Sequence, residues 1–220
     1  MGRIRTFYGS MVGKKVVMGV TGLIGIGFVI LHSLGNLLIF QGSSALNSYS
    51  RFLKSSAELL WALRITLIVA VVLHVIAAVQ LTRQSRAARP TGYVKREPQV
   101  ATIASRTMRW GGVLLLVFIV VHILHFTTGT IRPAGVFSHE DVYTNVTTSF
   151  RIWWVALFYI VAMIALGFHL FHGAWSSMRS IGVSPPSAHP LHHRISLIVA
   201  LLVWAAFTAV PLAVFAGWVR

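Results

Sequence analysis

The sequence predicts an all-α polytopic membrane protein, one membrane domain over residues 1–220 with five transmembrane helices. Three observations predict it. The chain is 56% hydrophobic and only 10% charged, with a mean hydropathy of +0.76, a profile of membrane and not soluble domains. Five apolar runs stand out, at about 14–40, 60–82, 107–129, 152–178 and 195–217, against the roughly 20 residues that a spanning helix needs. None of them alternates, so each reads as a helix and not as a barrel strand. The basic residues, finally, are distributed unevenly between the connections.

The formal charge of +15 invites a nucleic-acid reading, which we reject because the cations sit in the connections and have a topological use there. Arg3, Arg5, Lys14, Lys15, Arg83, Arg86, Arg89, Lys95, Arg96, Arg106, Arg109, Arg179 and Arg194 fall on one side of a five-span protein. Arg51, Lys54, Arg64, Arg132, Arg151 and Arg220 fall on the other. The positive-inside rule then expects the N-terminus in the cytoplasm and the C-terminus outside. The first run is too long for the core of a cleavable signal peptide, and no small-residue cleavage motif follows it. The absence of cysteine excludes disulfides, iron–sulfur ligation by this chain and thiolate ligation of haem.

The first span carries Gly19, Gly22 and Gly25 at spacing three and His32 near its outer end. Small residues on one face allow close approach of a neighbouring helix or a flat cofactor, and helix packing is the use we favour. The polar stretch QGSSALNSYSRFLKSS reads as a short loop. The second span holds His74 near its inner end, and Glu58 at its entrance suits the helix dipole. Residues 83–105, rich in Arg, Pro and Gly, read either as a docking surface for a soluble partner or as a solvated connection.

The third span, TMRWGGVLLLVFIVVHILHFTTG, carries His122 and His125 inside its apolar run. An ionisable group at that depth is costly and marks a functional site by default. The following loop contains His139, Glu140 and Asp141, for which a hydrated loop is favoured over a metal site. The fourth span has His169 and His172 near its inner end. His189, His192 and His193 follow in a Pro-rich segment and read as surface residues. The fifth span has no histidine, and Pro211 is a candidate kink. Trp61, Trp110, Trp153, Trp154, Trp175 and Trp218 fall where interfacial anchors are expected.

Alternating topology makes depths comparable. His32 and His122 each precede the outer end of a span by about seven or eight residues, or roughly 10–12 Å at 1.5 Å per residue. His74 and His169 precede inner ends by a similar margin, so two histidine pairs are expected at two depths about 15 Å apart. Neutral imidazole is a good iron ligand. Two imidazoles from facing helices complete a six-coordinate haem, which favours electron transfer over oxygen chemistry. Zinc fits less well, because neither pair has an evident third ligand. The expected core is therefore a four-helix haem-binding bundle. His125 and His172 compete for the same role. Depth matching prefers His122 and His169 and leaves the other two nearer the interfaces, where propionate contacts, quinone contacts or a hydrated role all fit. Arg109 and Arg179 could pair with propionates or reach lipid headgroups.

The chain resembles the five-helix, two-haem, b558-type cytochrome b subunit of succinate dehydrogenase/fumarate reductase. The resemblance rests on LHSLGN around His32, LHVIAAV around His74, RWGGVLLLVFIVVHIL around His122 and FYIVAMIALGFHLFHGAWS around His169. Phe168–Ser176, reading FH-x-x-x-G-x-W-S, and the trailing SIGVSPPS are the most family-like pieces. It implies that His32 and His122 hold the outer, distal haem b and that His74 and His169 hold the inner, proximal one. It further implies a bacterial cytoplasmic membrane, a flavoprotein partner with covalent FAD, and an iron–sulfur partner on the cytoplasmic face, in a complex that is itself a possible oligomer. Electrons would run from succinate to membrane quinone in the respiratory chain and tricarboxylic acid cycle, or in reverse for fumarate reduction. Dicarboxylate catalysis would lie in the partners, so no catalytic residue is expected here. Some family members use an intramembrane acid near the haem. No Asp or Glu lies inside a span, and Gly167 stands two residues before His169, so that proton route looks absent.

Two other readings compete. A haem b anchor of another respiratory complex, such as a hydrogenase or formate dehydrogenase, is disfavoured by the fifth span and by one ligand on each of four helices. A transporter or structural anchor would use its histidines as polar glue, but such contacts contribute only about 1 kcal/mol each. A transporter would also show broken helices and an internal repeat.

Overall fold

The apolar runs form long helices because a bilayer offers no water to backbone groups, so each segment must satisfy its own. The computed structural model describes residues 2–88, 102–183 and 189–220. Arg89, Lys95, Arg96 and much of the SIGVSPPS segment lie outside the described residues, as do the side chains of Arg3, Arg5 and His189. Among the described residues eight α-helices follow in order: α1 (Gly2–Gly9), α2 (Met11–Leu37), α3 (Ser43–Lys54), α4 (Ala57–Ala87), α5 (Ile103–His122), α6 (Val142–Phe150), α7 (Trp153–Ser180) and α8 (His189–Phe215). A 3₁₀ turn over Leu38–Gln41 extends α2, and a π-helical turn over Ile123–Thr127 extends α5. Five of these segments are long and apolar enough to cross a membrane: Met11–Gln41, Ala57–Ala87, Ile103–Thr127, Trp153–Ser180 and Pro190–Phe215. The protein is a polytopic helical membrane bundle.

The ends are set locally. Ser10, Ser56 and Thr102 accept hydrogen bonds from Gly13, Leu59 and Ser105 amides at the starts of α2, α4 and α5, satisfying donors that the helix itself cannot. Glu58 sits in the first turn of α4, as expected. Pro211 lies inside an uninterrupted α8 and is fully buried.

Two polar stretches read as loops are helical instead. Gly42, at φ 96°, turns the chain into α3. Asp141 caps α6, accepting from the Thr144 amide at 3.0 Å. The two helices are stapled by Asn47, whose amide donates to Asp141 at 2.9 Å and accepts from the Tyr143 amide at 3.0 Å. Lys54 Nζ donates to the His139 carbonyl. Together α3 and α6 cap one end of the bundle over a cluster of Ile39, Leu46, Val146, Phe150, Val155, Tyr159, Val210 and Val214.

The Pro-rich reading of His192 and His193 is also corrected. Both lie within the first five residues of α8 and are half-buried. The His193 ring lies 4.8 Å from Phe171. Pro190 is compatible because a first-turn proline lacks only an amide that has no partner there anyway. Lys14 is buried too, donating to the Gly9 carbonyl at 2.7 Å.

Helix α2 packs on α4, α7 and α8, and α7 packs on α5 and α8. The order around the bundle is thus α4, α2, α7, α5, with α8 covering α2 and α7. Among the described residues, the diagonal pairs α2 with α5 and α4 with α7 make at most marginal backbone contact. Lipid-facing surfaces are apolar, with Leu31, Ile68, Val117 and Leu202 all exposed. Trp110 and Trp218 are 80% and 84% exposed, as interfacial anchors are.

Candidate functional site

Each diagonal of the bundle carries one histidine pair. Nearer the capped end, His32 on α2 faces His122 on α5, with ring centres 5.9 Å apart at 77°. Nearer the other end, His74 on α4 faces His169 on α7, at 6.2 Å and 56°. The fixed helical rise, which matched the depths, also brings the rings together.

Aromatic packing fixes the first pair. His32 stacks on Phe28 one turn earlier at 5.2 Å and lies 5.7 Å from Phe207 of α8. His122 is flanked by Phe118 at 5.6 Å and Phe126 at 5.8 Å. The second pair is held by polar contacts and small residues. His74 Nδ1 is 3.1 Å from the Met18 carbonyl and 3.3 Å from Thr21 Oγ1. A carbonyl only accepts, so Nδ1 carries the proton and Nε2 is left with a lone pair. A Cβ at Gly22 would sit 3.4 Å from His74 Cε1, and one at Gly112 would sit 3.8 Å from His169 Cε1. Gly19 approaches the Ser177 backbone, as expected for helix packing, whereas a Cβ at Gly25 meets nothing within 4 Å. His169 Nδ1 is buried without a hydrogen-bond partner among the described residues.

The donor set suits a bis-histidine haem. Ring centres 5.9 and 6.2 Å apart leave each pair of imidazoles close enough that one iron could be held between them. His74 has the tautomer that such ligation needs. Among the described residues no group of three His, Cys, Asp or Glu side chains converges, so neither pair extends to a zinc site. A lipid-facing groove of about 310 Å³ between α5 and α7, bordered by Trp110, Leu114 and Phe168, reaches His169.

The competing histidines lie elsewhere. His125 is 4% exposed, and both ring nitrogens are engaged, Nδ1 with the Tyr159 hydroxyl at 3.0 Å and Nε2 with Ser149 Oγ at 2.9 Å. The same hydroxyl lies 3.5 Å from His122 Nδ1. His172 stays at the other end, 5.7 Å from the Trp175 ring, over which Arg179 also lies at 5.4 Å. Among the described residues His139 and Glu140 join no group of three metal-ligating side chains, and Asp141 caps α6. Its carboxyl is held below the usual range, first by the Thr144 hydroxyl at 2.6 Å, then by the Thr144 amide and the Asn47 side chain.

Sequence reasoning missed Tyr159 and Ser149. A signal existed for Tyr159: it lies about as far from the outer end of its span as His122 does from that of its own, so the same depth comparison would have matched them.

These features define a class, a five-span helical membrane protein with two facing histidine pairs at two levels on four helices. Comparison with protein-family models, curated proteins and solved structures gives no match for the chain.

Proposed function

We propose that the chain is the dihaem cytochrome b subunit that anchors a succinate:quinone oxidoreductase or fumarate reductase and links its iron–sulfur partner to membrane quinone. The observation that carries this reading is the pairing of four histidines from four helices at 5.9 and 6.2 Å. His32 and His122 hold the outer haem b, and His74 and His169 the inner one. Bound haem supplies one-electron redox chemistry at each level. The chain's own residues orient the ligands: Met18 sets the tautomer of His74, and Phe28, Phe118 and Phe207 fix the rings of the outer pair. Aromatic and aliphatic side chains around both pairs exclude water. Dicarboxylate chemistry, FAD and iron–sulfur clusters belong to partner subunits. The protein sits in the bacterial cytoplasmic membrane with the capped end outside and the more basic end toward the cytoplasmic partners.

The alternatives lose ground for stated reasons. None of the five spans is broken mid-membrane among the described residues, unlike the discontinuous helices of many transporters. Polar glue would need no level-by-level facing of histidines across diagonals that barely touch.

The test is a reduced-minus-oxidised spectrum with haem quantitation on the purified protein, beside His122→Ala and His169→Ala. Two haems b per chain, with a different one lost in each variant, support the reading. A folded wild-type protein without haem returns the histidines to packing or transport. Loss of a haem in His172→Ala with His169→Ala unaffected would keep the class and change the ligand. Co-purification of a flavoprotein separates this complex from other haem-anchored ones.

A further inference from the structure

His125 is the most completely buried histidine whose side chain is described, and the haem reading gives it no ligand role. Its two nitrogens are nevertheless occupied at 3.0 and 2.9 Å, and the hydroxyl on one side also faces His122. We propose that His125 is a positioning residue for His122: the chain Ser149–His125–Tyr159–His122 is polarised so that His122 keeps its Nε2 lone pair toward His32. The inference rests on the haem reading of the outer pair.

With every proton, the hydroxyl's included, used inside the chain, two polarities are open. A neutral imidazole has one N–H, and a tyrosine hydroxyl has one proton to donate. In the first polarity, His122 Nδ1–H donates to the Tyr159 oxygen, the hydroxyl donates to His125 Nδ1, and His125 Nε2–H donates to Ser149 Oγ. His122 Nε2 is then a bare lone pair. In the second, Ser149 donates to His125 Nε2, His125 Nδ1–H donates to Tyr159, and the hydroxyl donates to His122 Nδ1. His122 Nε2 then carries a proton and cannot bind a metal. A ligand role for His122 excludes the second polarity, and the first also keeps the hydroxyl proton hydrogen-bonded in an apolar box; in it His125 is the member that holds the tyrosine proton away from His122.

The surroundings make the arrangement rigid. Tyr159 is 6% exposed, and its ring is boxed by Phe118, Phe126, Phe150 and Phe158 with centres 5.0–5.8 Å away. Hydrogen bonds in so apolar a setting are stronger than in water. The π-helical turn widens α5 immediately after His122, which lets two histidines three positions apart reach one hydroxyl. Such turns recur at functional sites. The 3.5 Å contact to His122 is long for a hydrogen bond, so the chain is tightest where His125 holds it.

Tyr159→Phe deletes the hydroxyl and keeps the ring. Its readout is the midpoint potential of each haem by optical redox titration in purified wild type and variants, with the outer haem assigned by its absence in His122→Ala. Without an acceptor at Nδ1, His122 is a less basic ligand, and losing the hydrogen-bond partner behind a ligating histidine typically weakens metal binding by about 10–100-fold. We expect the outer potential to move positive and outer-haem retention to fall, with the inner haem unchanged. His125→Leu is expected to move the outer potential away from wild type, and His125→Asn, which keeps an acceptor near the Nδ1 position, to restore part of it. An unmoved outer potential in Tyr159→Phe and His125→Leu, in protein that carries two haems, overturns the inference and leaves the haem reading intact. Equal disturbance of both haems overturns it as well, because the hydroxyl would then be serving the fold. A wild-type protein without haem overturns both. Should Tyr159→Phe fail to accumulate, the His125→Leu and His125→Asn pair decides alone.

Discussion

Gly22→Val is predicted to abolish the inner haem and leave the outer one. A Cβ at Gly22 lies 3.4 Å from His74 Cε1, 3.5 Å from Ser177 Oγ and 3.7 Å from His74 Nδ1. Alanine therefore only touches its neighbours. Valine adds two methyls about 1.5 Å beyond Cβ, and its one preferred helical rotamer cannot turn both away from two neighbours at that range. Overpacking of this kind costs about 1–3 kcal/mol. A displaced His74 also loses its hydrogen bond to Met18, worth about 1 kcal/mol. The combined 2–4 kcal/mol corresponds to a loss of roughly 30- to 1000-fold in inner-site affinity, at about 1.4 kcal/mol per tenfold. The assay is haem per chain with potentiometry. One haem is expected, at the wild-type outer potential, whereas Gly22→Ala keeps two. Gly25→Val is the control, since a Cβ there meets nothing within 4 Å. Two haems with an unaltered inner potential in Gly22→Val would refute the placement of the inner site.

The capped end should be sensitive to acid through Asp141. Its carboxyl is lowered from 3.8 in the fold, so its contribution is full above that value and is lost as pH falls through the lower folded one. Thermal midpoints in detergent are expected to be flat down to about pH 5 and to fall below about pH 4, with a shallower acid fall in Asp141→Asn; an identical slope in the variant would sink the assignment. Orientation is testable because the chain has no cysteine. Ser44→Cys, at the capped end, should react with an impermeant maleimide in intact cells, and Ser85→Cys only after permeabilisation; the reverse pattern would invert the topology.

The five spans were legible because apolar length is a one-dimensional property. Depth pairing was legible because helical rise is fixed: counting from the ends of apolar runs placed His32 with His122 and His74 with His169. Helices α3 and α6 were not legible. Their stability comes from burying Leu46, Val146 and Phe150 in a cluster with residues of α7 and α8 and from the Asn47–Asp141 staple, which joins positions 94 apart. The engagement of His125 was hidden for a related reason. Its destination depends on a π-helical turn that no residue pattern announces and on Tyr159 and Ser149, 34 and 24 positions away. His192 and His193 read as surface residues of a Pro-rich segment, whereas Pro190 stands in the first turn of α8, where proline is tolerated.

The two histidine pairs are oriented by different means, and this limits how each can be tuned. At the inner level the acceptor for His74 Nδ1 is the Met18 carbonyl, which no side-chain substitution removes and which fixes the tautomer outright. Its partner His169 has a buried Nδ1 with no partner among the described residues, so nothing there selects its tautomer by hydrogen bonding. At the outer level the acceptor for His122 is a hydroxyl that can also donate, and its direction is decided by His125 and Ser149 behind it. Substitution along that chain therefore moves the outer level alone. At the other level the only side-chain hydroxyl within reach of His74 Nδ1 among the described residues is Thr21 Oγ1 at 3.3 Å, so that level responds chiefly to changes in backbone position or space. A steric probe at Gly22 is consequently the informative perturbation of one level, and deletion of the Tyr159 hydroxyl the informative perturbation of the other.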